Sequence, residues 1–455
     1  MLPFLIFAET ENNYYDIKIT IRGFQSEKAL LGYYYGDKTY VVDSAKVDTK
    51  SGKMRFFGNR KLLEGVYFVA NTEGVVLDFI VNGWKDFSIS TDSKALLDSA
   101  SVFRSEENKY YFDYLKTVKK KQSEIKKLQI DLSLLQYNKD YETLNLYQRK
   151  IIEKYRFIDN LTYSSMMRYP DLFFTKLINA NRTPSVSDDI RPFDDSGKPN
   201  PTYYYYGCRH FWDEFDFNDT RLLRSKVYVQ KVRQYLNQIL HSDIDSMKRY
   251  SDFLLSKSKV TLEFYQSTLN CVTQFFESKI AQPNGDKMYI YMVENYHQRT
   301  GSGASTSKLN EMYEKVKHLK AYTIGQKAPD LQFLDKEGYT RCLNENKGKW
   351  TLLYFNDSEL ETVRTNLNLF NELCKDNELK EVKGYSVSRN GLNQWLSLAK
   401  LKTEIVFGGE VTQNEHTYIY NECPIFYLLN KDHKIVERAN TLDEMKKILR
   451  GMDLK

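Results

Sequence analysis

The sequence predicts a multidomain protein with an N-terminal antiparallel β-sandwich, an all-α middle domain and a C-terminal α/β domain. From residue 14 to 92 apolar and polar residues alternate, which is the period of a half-buried strand. From 93 to 320 apolar residues recur at helical spacing instead. From 321 onward short apolar strands flank a helical segment. A chain of 455 residues is long enough for two to four domains, each with its own core.

The N-terminal domain is predicted from strand alternation and turn residues. Ile17, Ile19 and Ile21 alternate with polar residues. Turn signals separate six or seven short runs at Gly23, Gly36-Asp37, Ser51-Gly52, Gly58-Asn59, Glu73-Gly74 and Asn82-Gly83. Tyr33 to Tyr35 and Trp84 either line a ligand groove or pack on a strand face, and packing is the usual role of such residues.

The middle domain is predicted to open with a helical hairpin. Tyr111, Val118, Ile125 and Leu132 recur every seven residues, and a second stripe runs through 141–163. Asn138-Lys-Asp140 separates the two runs, so we expect them to pack as an antiparallel pair of helices. With fewer than four clean heptads, this intramolecular pair is favoured over an intermolecular coiled coil.

Residues 182–206 are predicted to form a Pro-rich loop, because they hold four of the nine prolines. The stretch that follows, 208–219, mixes Cys208 and His210 with carboxylates and aromatic residues. Cys208 and His210 suggest a nucleophile and a base, and Asp213, Glu214 and Asp216 suggest a cation site. Residues two apart seldom point at a common atom, so a half-buried structural surface is the favoured interpretation. The later helices are predicted at 222–240, 243–256, 259–278 and 287–296, followed by a mobile loop at 301–308.

The charges indicate no nucleic-acid partner. The net charge is +6 with a pI near 8.7, and the charges are interspersed along the chain rather than concentrated. The densest basic run, Lys116 to Lys127, is interpreted as a solvated helix face, with a nucleic-acid or membrane patch as the alternative.

Cysteine spacing gives no metal or disulfide pattern. The five cysteines are Cys208, Cys271, Cys342, Cys374 and Cys423, and no two form a Cys-x-x-Cys pair. No cofactor or metal is therefore expected. The run Leu2 to Ala8 resembles the tail of a secretory signal peptide, so residues 1–13 are predicted to be a residual signal-like segment. The alternative is a simple apolar first strand, which would leave the protein cytoplasmic. No run is long enough to span a bilayer.

The C-terminal region, 321–455, carries a family resemblance. Thr323-Ile-Gly-Gln-Lys-Ala-Pro329, the strand Thr351 to Phe355 after Trp350, and Cys423-Pro424 before the strand Ile425 to Leu429 follow one another in order. They resemble the thioredoxin fold of bacterial envelope thiol-disulfide oxidoreductases and peroxiredoxin-like proteins. On the motifs Ile21-Arg-Gly-Phe24 and Leu63-Glu-Gly-Val-Tyr67, the segment 14–92 resembles an all-β domain of unknown function that precedes such folds. On the motifs Phe211 to Phe217 and Met292 to Tyr296, the segment 93–320 resembles a helical domain of unknown function found between the two.

The resemblance implies where the active site belongs, and the chemistry is missing there. The family's Cys-x-x-Cys positions hold Leu360 and Val363 in a turn that also contains Asp357, Ser358 and Glu361. Ser358 and Glu361 form a capping box, so a helix is predicted from Glu359 to Cys374. Alkyl side chains neither attack a disulfide nor resolve one. The turn is therefore interpreted as a degenerate active site.

The resemblance also implies that Pro424 is a cis-proline and that Cys423 faces the degenerate turn. Cys423 is interpreted as a small packing residue, with a reactive thiol as the alternative. Two functions follow. The first is a redox-inactive protein of the periplasm or cell envelope that binds an extended peptide or an envelope protein along Glu422, Cys423 and Pro424. The second is a monothiol oxidoreductase or peroxidase that uses Cys423.

Overall fold

The structure is a computed structural model that divides the chain into two compact units, Met1–Cys271 and Val272–Lys455. The described residues are 14–83, 85–138, 141–182, 190, 200–240, 243–280, 282, 284–298, 303–321, 323–334, 339–346, 348–356, 382–388, 406–408, 425–439 and 441–452. The predicted signal-like segment 1–13 and Trp84 lie outside them. Within these ranges, no helix has the length and apolar character that crossing a membrane requires.

The first unit begins with a β-rich region of two four-stranded sheets. Its strands are β1 (Tyr14–Arg22), β2 (Lys28–Tyr35), β3 (Lys38–Lys46), β4 (Lys53–Asn59), β5 (Gly65–Asn71), β6 (Gly74–Val81), β7 (Asp86–Asp92) and β8 (Ser101–Phe103). The sheet orders are β4-β1-β7-β8 and β3-β2-β5-β6. The alternating residues Ile17, Ile19 and Ile21 are fully buried and share one apolar core with residues of the other sheet such as Leu31 and Phe79.

One strand pair in this region departs from the predicted antiparallel arrangement. β1 and β7 run parallel, with Ile17 opposite Phe87 and Ile19 opposite Ile89. Parallel neighbours need a long connection, and β2 to β6 supply it. Alternation within single strands does not show which strands will become neighbours, so the sequence alone misses this pair.

The tyrosines proposed to line a groove pack against one another. The rings of Tyr33 and Tyr40 are stacked with centroids 5.5 Å apart, and Tyr67 lies 5.6 Å from Tyr33. The hydroxyl of Tyr34 donates to Asp78 Oδ1 at 2.7 Å. These contacts fit the packing interpretation, whereas Trp84 is not among the described residues.

The helices of the first unit begin with a long hairpin. They are α1 (Glu106–Asn138), α2 (Tyr141–Arg168), α3 (Phe173–Ala180), α4 (Pro201–His210), α5 (Lys226–Ile239) and α6 (Ile244–Ser258), and α7 (Leu262–Glu277) continues into the second unit. Tyr114 bonds Thr162 at 2.7 Å, and Lys154 meets Glu124 at 3.1 Å. Positions later in α1 thus meet positions earlier in α2, so the two helices are antiparallel.

Two buried side chains fix the start of α1 to the β-rich region. Asn108 accepts from the backbone N–H of Ile80 and donates to its carbonyl, both at 2.7 Å. Glu107 accepts from Asn82 at 2.8 Å and from the Phe174 N–H at 2.7 Å. Because burial desolvates this carboxylate, the pKa of Glu107 is raised above its ordinary value.

Two predicted loops are partly helical. Residues 201–206, which the sequence assigns to the Pro-rich loop, lie in α4: Asn200 accepts from the Thr202 N–H at 3.0 Å as the N-cap, and Pro201 occupies the first turn. Within the loop predicted at 301–308, the last three residues begin α9 (Thr306–Ala321). Pro201 marks a helix start, which composition does not separate from a loop.

The second unit combines short helices with a five-stranded sheet. The helical part contains α8 (Gly285–Met292), a π-helical turn (Val293–His297) and α9. The remaining elements are β9 (Gln332–Leu334), β10 (Thr340–Cys342), β11 (Trp350–Asn356), β12 (Val382–Ser388), β13 (Val406–Gly408), β14 (Ile425–Leu429), β15 (Ile435–Ala439) and α10 (Leu442–Gly451). The sheet order is β13-β12-β11-β14-β15, and β9 pairs with β10.

The core of this sheet comes from its central strands and the closing helix. Leu352, Phe426 and Leu428 are buried with Met445 and Leu449 of α10. The predicted opening segment pairs along the edge strand β15, where the Ala328 N–H donates to the His433 carbonyl at 2.7 Å and the Gly325 N–H to the Ile435 carbonyl at 2.7 Å. The C-terminal region is therefore a mixed sheet extended by the segment that precedes it.

Candidate functional site

The candidate site lies at one end of the C-terminal sheet. β11 runs parallel to β12 and antiparallel to β14, and Phe355 lies opposite Ile425. The carboxyl ends of β11 and β12 and the amino end of β14 therefore meet at the same edge. The segments that leave β11 after Asn356 and enter β14 at Ile425 start from neighbouring strand ends.

The strand ends at this edge are held by a fully apolar core. Leu352, Leu353, Tyr354 and Phe355 are all buried, which is typical of a central strand covered on both faces. The ring of Tyr354 stacks on Phe426 with centroids 4.5 Å apart. Phe355 meets Tyr427 edge to face at 5.9 Å. Ring packing across the strand pair fixes the register that places the two chain segments side by side.

The predicted site residues themselves lie outside the described residues. This applies to the turn residues Asp357, Ser358, Leu360, Glu361 and Val363, and to Glu422, Cys423 and Pro424. The capping box, the helix from Glu359 to Cys374 and the cis-proline stay predictions. The structure gives the positions immediately before and after them: β11 ends at Asn356, and β14 begins at Ile425.

The three cysteines among the described residues offer little nucleophilic character. Cys208 and Cys271 are buried free thiols. Desolvation by burial raises the pKa of Cys208, and it raises that of Cys271 to about 12. The pKa of Cys342 in β10 is also raised, by desolvation and by the nearby carboxylates of Asp330 and Glu345. A raised pKa keeps a thiol protonated and unreactive at neutral pH.

The mixed segment 208–219 does not assemble a catalytic pair. Cys208 lies in the core, whereas His210 Nδ1 contacts Asp213 Oδ2 at 2.6 Å near the surface. Glu214 pairs with Arg182 at 3.4 Å. Phe211 and Trp212, between the polar residues, are buried. Across the described ranges no three His, Cys, Asp or Glu side chains group as metal ligands, and this segment packs as the structural interpretation predicts.

The sequence interpretation misses two buried polar groups of the second unit. Arg438 of β15 pairs with Asp286 of α8 at 3.2 Å, with each side chain only 10% exposed, and it donates to the Ile280 carbonyl at 2.8 Å. His297 is 2% exposed, and its Nε2 lies 2.9 Å from the Thr273 hydroxyl. Burial lowers the pKa of His297 to about 4. Arg438 follows Glu437 in a short strand, so the sequence carries no local signal for this ion pair.

Comparison with known proteins gives two family matches and several structural resemblances. Residues 15–111 match a domain of unknown function (DUF4369), and residues 198–327 match another (DUF5106). No curated protein matches the chain. Solved structures that resemble it include thioredoxin-like and thiol-disulfide oxidoreductase proteins.

Three of these structures differ in their sequence identity to this chain and in how much of it they cover. A thioredoxin-like protein from Bacteroides caccae is 14% identical, with a TM-score of 0.46 over 60% of this chain and 98% of that chain. The thioredoxin domain of a thiol-disulfide oxidoreductase from Bacteroides vulgatus is 19% identical, with a TM-score of 0.26 over 29% of this chain and 99% of its own. A domain of a possible thiol-disulfide isomerase from Cytophaga hutchinsonii is 22% identical, with a TM-score of 0.26 over 28% and 92%. At these low TM-scores the likeness assigns neither an activity nor a ligand to this chain.

Proposed function

We propose that this chain is a redox-inactive, thioredoxin-like protein of the cell envelope that binds an extended peptide or protein segment at the end of its C-terminal sheet. The single observation that carries the proposal is the register of β11 and β14. Phe355 lies opposite Ile425, so β11 ends and β14 begins at the same edge of the sheet. The proposal assigns the degenerate turn to the residues after β11 and the binding edge to Glu422, Cys423 and Pro424 before β14.

The strand order supports a thioredoxin fold for residues 321–455. β12 runs parallel to β11, and β14 runs antiparallel to β11. β15 runs antiparallel to β14 and is followed by α10. This is the arrangement implied by the family resemblance, with β13 added at the edge beside β12. The proposed layout keeps the boundaries 14–92, 93–320 and 321–455.

The residues at the sulfur positions argue against dithiol chemistry. Leu360 and Val363 carry no nucleophile, and the carboxylates of Glu359 and Glu361 oppose a thiolate in that turn. What such a scaffold retains is a strand end whose backbone groups pair with an extended chain. Glu422, Cys423 and Pro424 are the residues proposed to form this binding edge.

A second function is favoured by the position of Cys423. Cys423 lies two residues before Ile425, the first residue of β14. Ile425 is opposite Phe355, which lies two residues before Asp357. A thiol there would face the degenerate turn and act as the single cysteine of a monothiol oxidoreductase or peroxidase. The proposed binding function and this enzymatic function share one edge but differ in chemistry.

Thiol titration and turnover assays separate the two. Insulin reduction and peroxide consumption are measured for the wild-type protein and for Cys423→Ser, with Cys342→Ser as the matched control. The binding function expects no turnover in any of the three proteins. Turnover that Cys423→Ser abolishes and Cys342→Ser leaves intact would replace it with the enzymatic function.

Binding is tested with a reduced and carboxymethylated protein as the extended ligand. Pro424→Ala is expected to weaken its binding at least about tenfold, because the proline ring restricts the backbone of the proposed binding edge. Pro329→Ala, in the same region, serves as the control and is expected to bind normally. Equal binding by both variants, or none by the wild type, would refute the proposed edge.

An envelope location is also part of the proposal. It is supported by the apolar run Leu2 to Ala8 and by the family resemblance. Fractionation of cells that express the protein from its own gene is expected to recover it with periplasmic or envelope markers. Recovery with cytoplasmic markers would favour the interpretation of residues 2–7 as a strand.

A further inference from the structure

The α1–α2 hairpin carries a concentrated positive charge that the proposed function does not use. We name the segments 116–127 of α1 and 149–156 of α2 the basic collar. They contain ten lysines and arginines against two glutamates, a net charge of +8. The whole chain has 66 basic and 60 acidic residues, so the rest of the protein is slightly acidic. The α1 part of the collar, Lys116 to Lys127, is the run that the sequence alone suggests to be a solvated helix face.

Internal pairing neutralises only part of the collar. Glu124 lies 3.1 Å from both Lys121 and Lys154. Lys119 contacts Asp98 at 2.9 Å. Across the part of the chain that the structure describes, the other outward cations form no ion pair; they are Lys120, Lys126, Lys127, Arg149, Lys150 and Arg156. These six charges are exposed to solvent on both helices.

An open cleft lies along the α1 side of the collar. It has a volume of about 710 Å³, and five of its nine lining residues are lysines: Lys116, Lys119, Lys120, Lys121 and Lys127. Only two lining residues are acidic, and both are the paired Asp98 and Glu124. Lys116, Lys119 and Lys121 each contact a carboxylate, whereas Lys120 and Lys127 have no ion-pair partner among the described residues. Five lysines along one cleft favour an anionic group with several acceptor oxygens, such as a phosphodiester.

Exposed apolar residues adjoin the collar on both helices. On α1, Ile130 is 52% exposed and Leu134 is 64% exposed. Their spacing of three and seven residues from Lys127 places them on the same helix face. On α2, Ile152 and Phe157 are 49% and 45% exposed, beside Arg156. The contact of such side chains with water is unfavourable in free energy. A surface that combines them with cations therefore indicates an occupant with both apolar and anionic parts.

The geometry points to an anionic phospholipid surface as that occupant. A second copy of the hairpin would bring two collars of the same sign together. A nucleic acid would contact the cations through its phosphates but leave the aliphatic side chains without a partner. The interface of a bilayer accepts both kinds of residue, since lysine and arginine reach the headgroups while leucine, isoleucine and phenylalanine enter the acyl boundary. The hairpin thus attaches to the membrane peripherally.

Vesicle co-sedimentation tests this assignment with the whole protein. Phosphatidylcholine vesicles with phosphatidylglycerol are expected to bind it, with affinity falling as salt rises, and phosphatidylcholine alone is expected to bind it at least about tenfold more weakly. The variant Lys120→Gln, Lys126→Gln, Lys127→Gln and Arg149→Gln is expected to lose at least about tenfold in affinity for the anionic vesicles.

The matched control neutralises the same number of charges in the β-rich region. It changes the exposed lysines Lys28, Lys38, Lys46 and Lys50 to Gln and is expected to bind like the wild type. The second variant, Ile130→Gln with Leu134→Gln, is expected to bind anionic vesicles more weakly but with the same salt dependence. Circular dichroism checks that all three variants fold.

Three results would overturn the assignment. The first is equal binding to vesicles with and without phosphatidylglycerol, and the second is binding to neither. The third is salt-dependent binding of a DNA duplex or of polyglutamate that exceeds vesicle binding and is lost in the collar variant, which would assign the collar to a different polyanion.

Discussion

Acid should destabilise the second unit through His297. This imidazole is 2% exposed, and burial lowers its pKa from the ordinary 6.5 to about 4. In the unfolded chain this imidazole becomes protonated below pH 6.5, whereas in the folded state it stays neutral down to about pH 4. The free energy of unfolding therefore falls as the pH falls from 6.5 to about 4. Stability linked to His297 is fully present above pH 6.5 and lost by pH 4.

The magnitude follows from the difference in pKa. A shift from 6.5 to about 4 corresponds to about 3 kcal/mol, at about 1.4 kcal/mol for each pH unit. About 2 kcal/mol of this should already be lost at pH 5. The assay is urea unfolding at a series of pH values between 7 and 4, with the signal followed by tyrosine and tryptophan fluorescence.

Carboxylates titrate in the same range, so the comparison with variants is decisive. His297→Phe fills the buried space without a titrating group and should lose about 3 kcal/mol less than the wild type between pH 7 and pH 4. Parallel curves for wild type and His297→Phe would refute the reasoning, because the proton uptake would then belong elsewhere.

Three further outcomes are expected. Arg438→Met leaves Asp286 buried without its partner and should lower the free energy of unfolding by about 3–5 kcal/mol in urea titrations, while Arg438→Met with Asp286→Leu recovers most of the loss. Asn108→Ala leaves a buried backbone N–H and a carbonyl of β6 unpaired and should destabilise the first unit by about 2–4 kcal/mol, measured by thermal unfolding. Cys208 and Cys271 should resist alkylation until the protein unfolds, as mass spectrometry of the labelled peptides would report.

The exposed pair Lys317–Glu314, at 3.8 Å with side chains 78% and 66% exposed, supplies the control for the ion-pair experiment. Lys317→Met should change stability by less than about 1 kcal/mol. If Lys317→Met and Arg438→Met cost the same, desolvation of Asp286 is not the cause. Rapid alkylation of Cys271 in the folded protein would similarly contradict its burial.

Local patterns predicted the elements well because each pattern depends on near neighbours in the chain. β11 was predicted at 351–355 and found at Trp350–Asn356, and the limits predicted for β14, Ile425 and Leu429, match. The interruption at 138–140 falls between α1 and α2. Apolar alternation and helical stripes report which face is buried, and that is enough to locate an element.

The features that sequence did not predict all depend on tertiary contacts. The parallel pairing of β1 with β7, the ion pair of Arg438 and the burial of His297 each join residues that are distant along the chain. Part of α4 was assigned to a loop because Pro201 marks a helix start as readily as a loop. At the candidate site, the sequence supplied the residues, and the structure supplied the register of the strands that lead to them.

The parallel pairing of β1 with β7 has a consequence for how the β-rich region folds during synthesis. Among the described strands β1 precedes all others along the chain, yet it lies inside its sheet between β4 and β7. Its second neighbour does not exist until residue 92 has been added, and the closure of so distant a pair is slow. Until then β1 has one unpaired edge, which is an aggregation hazard for a nascent chain. A fragment that stops after β6 should therefore aggregate, and the shortest fragment that closes this sheet should extend through β8.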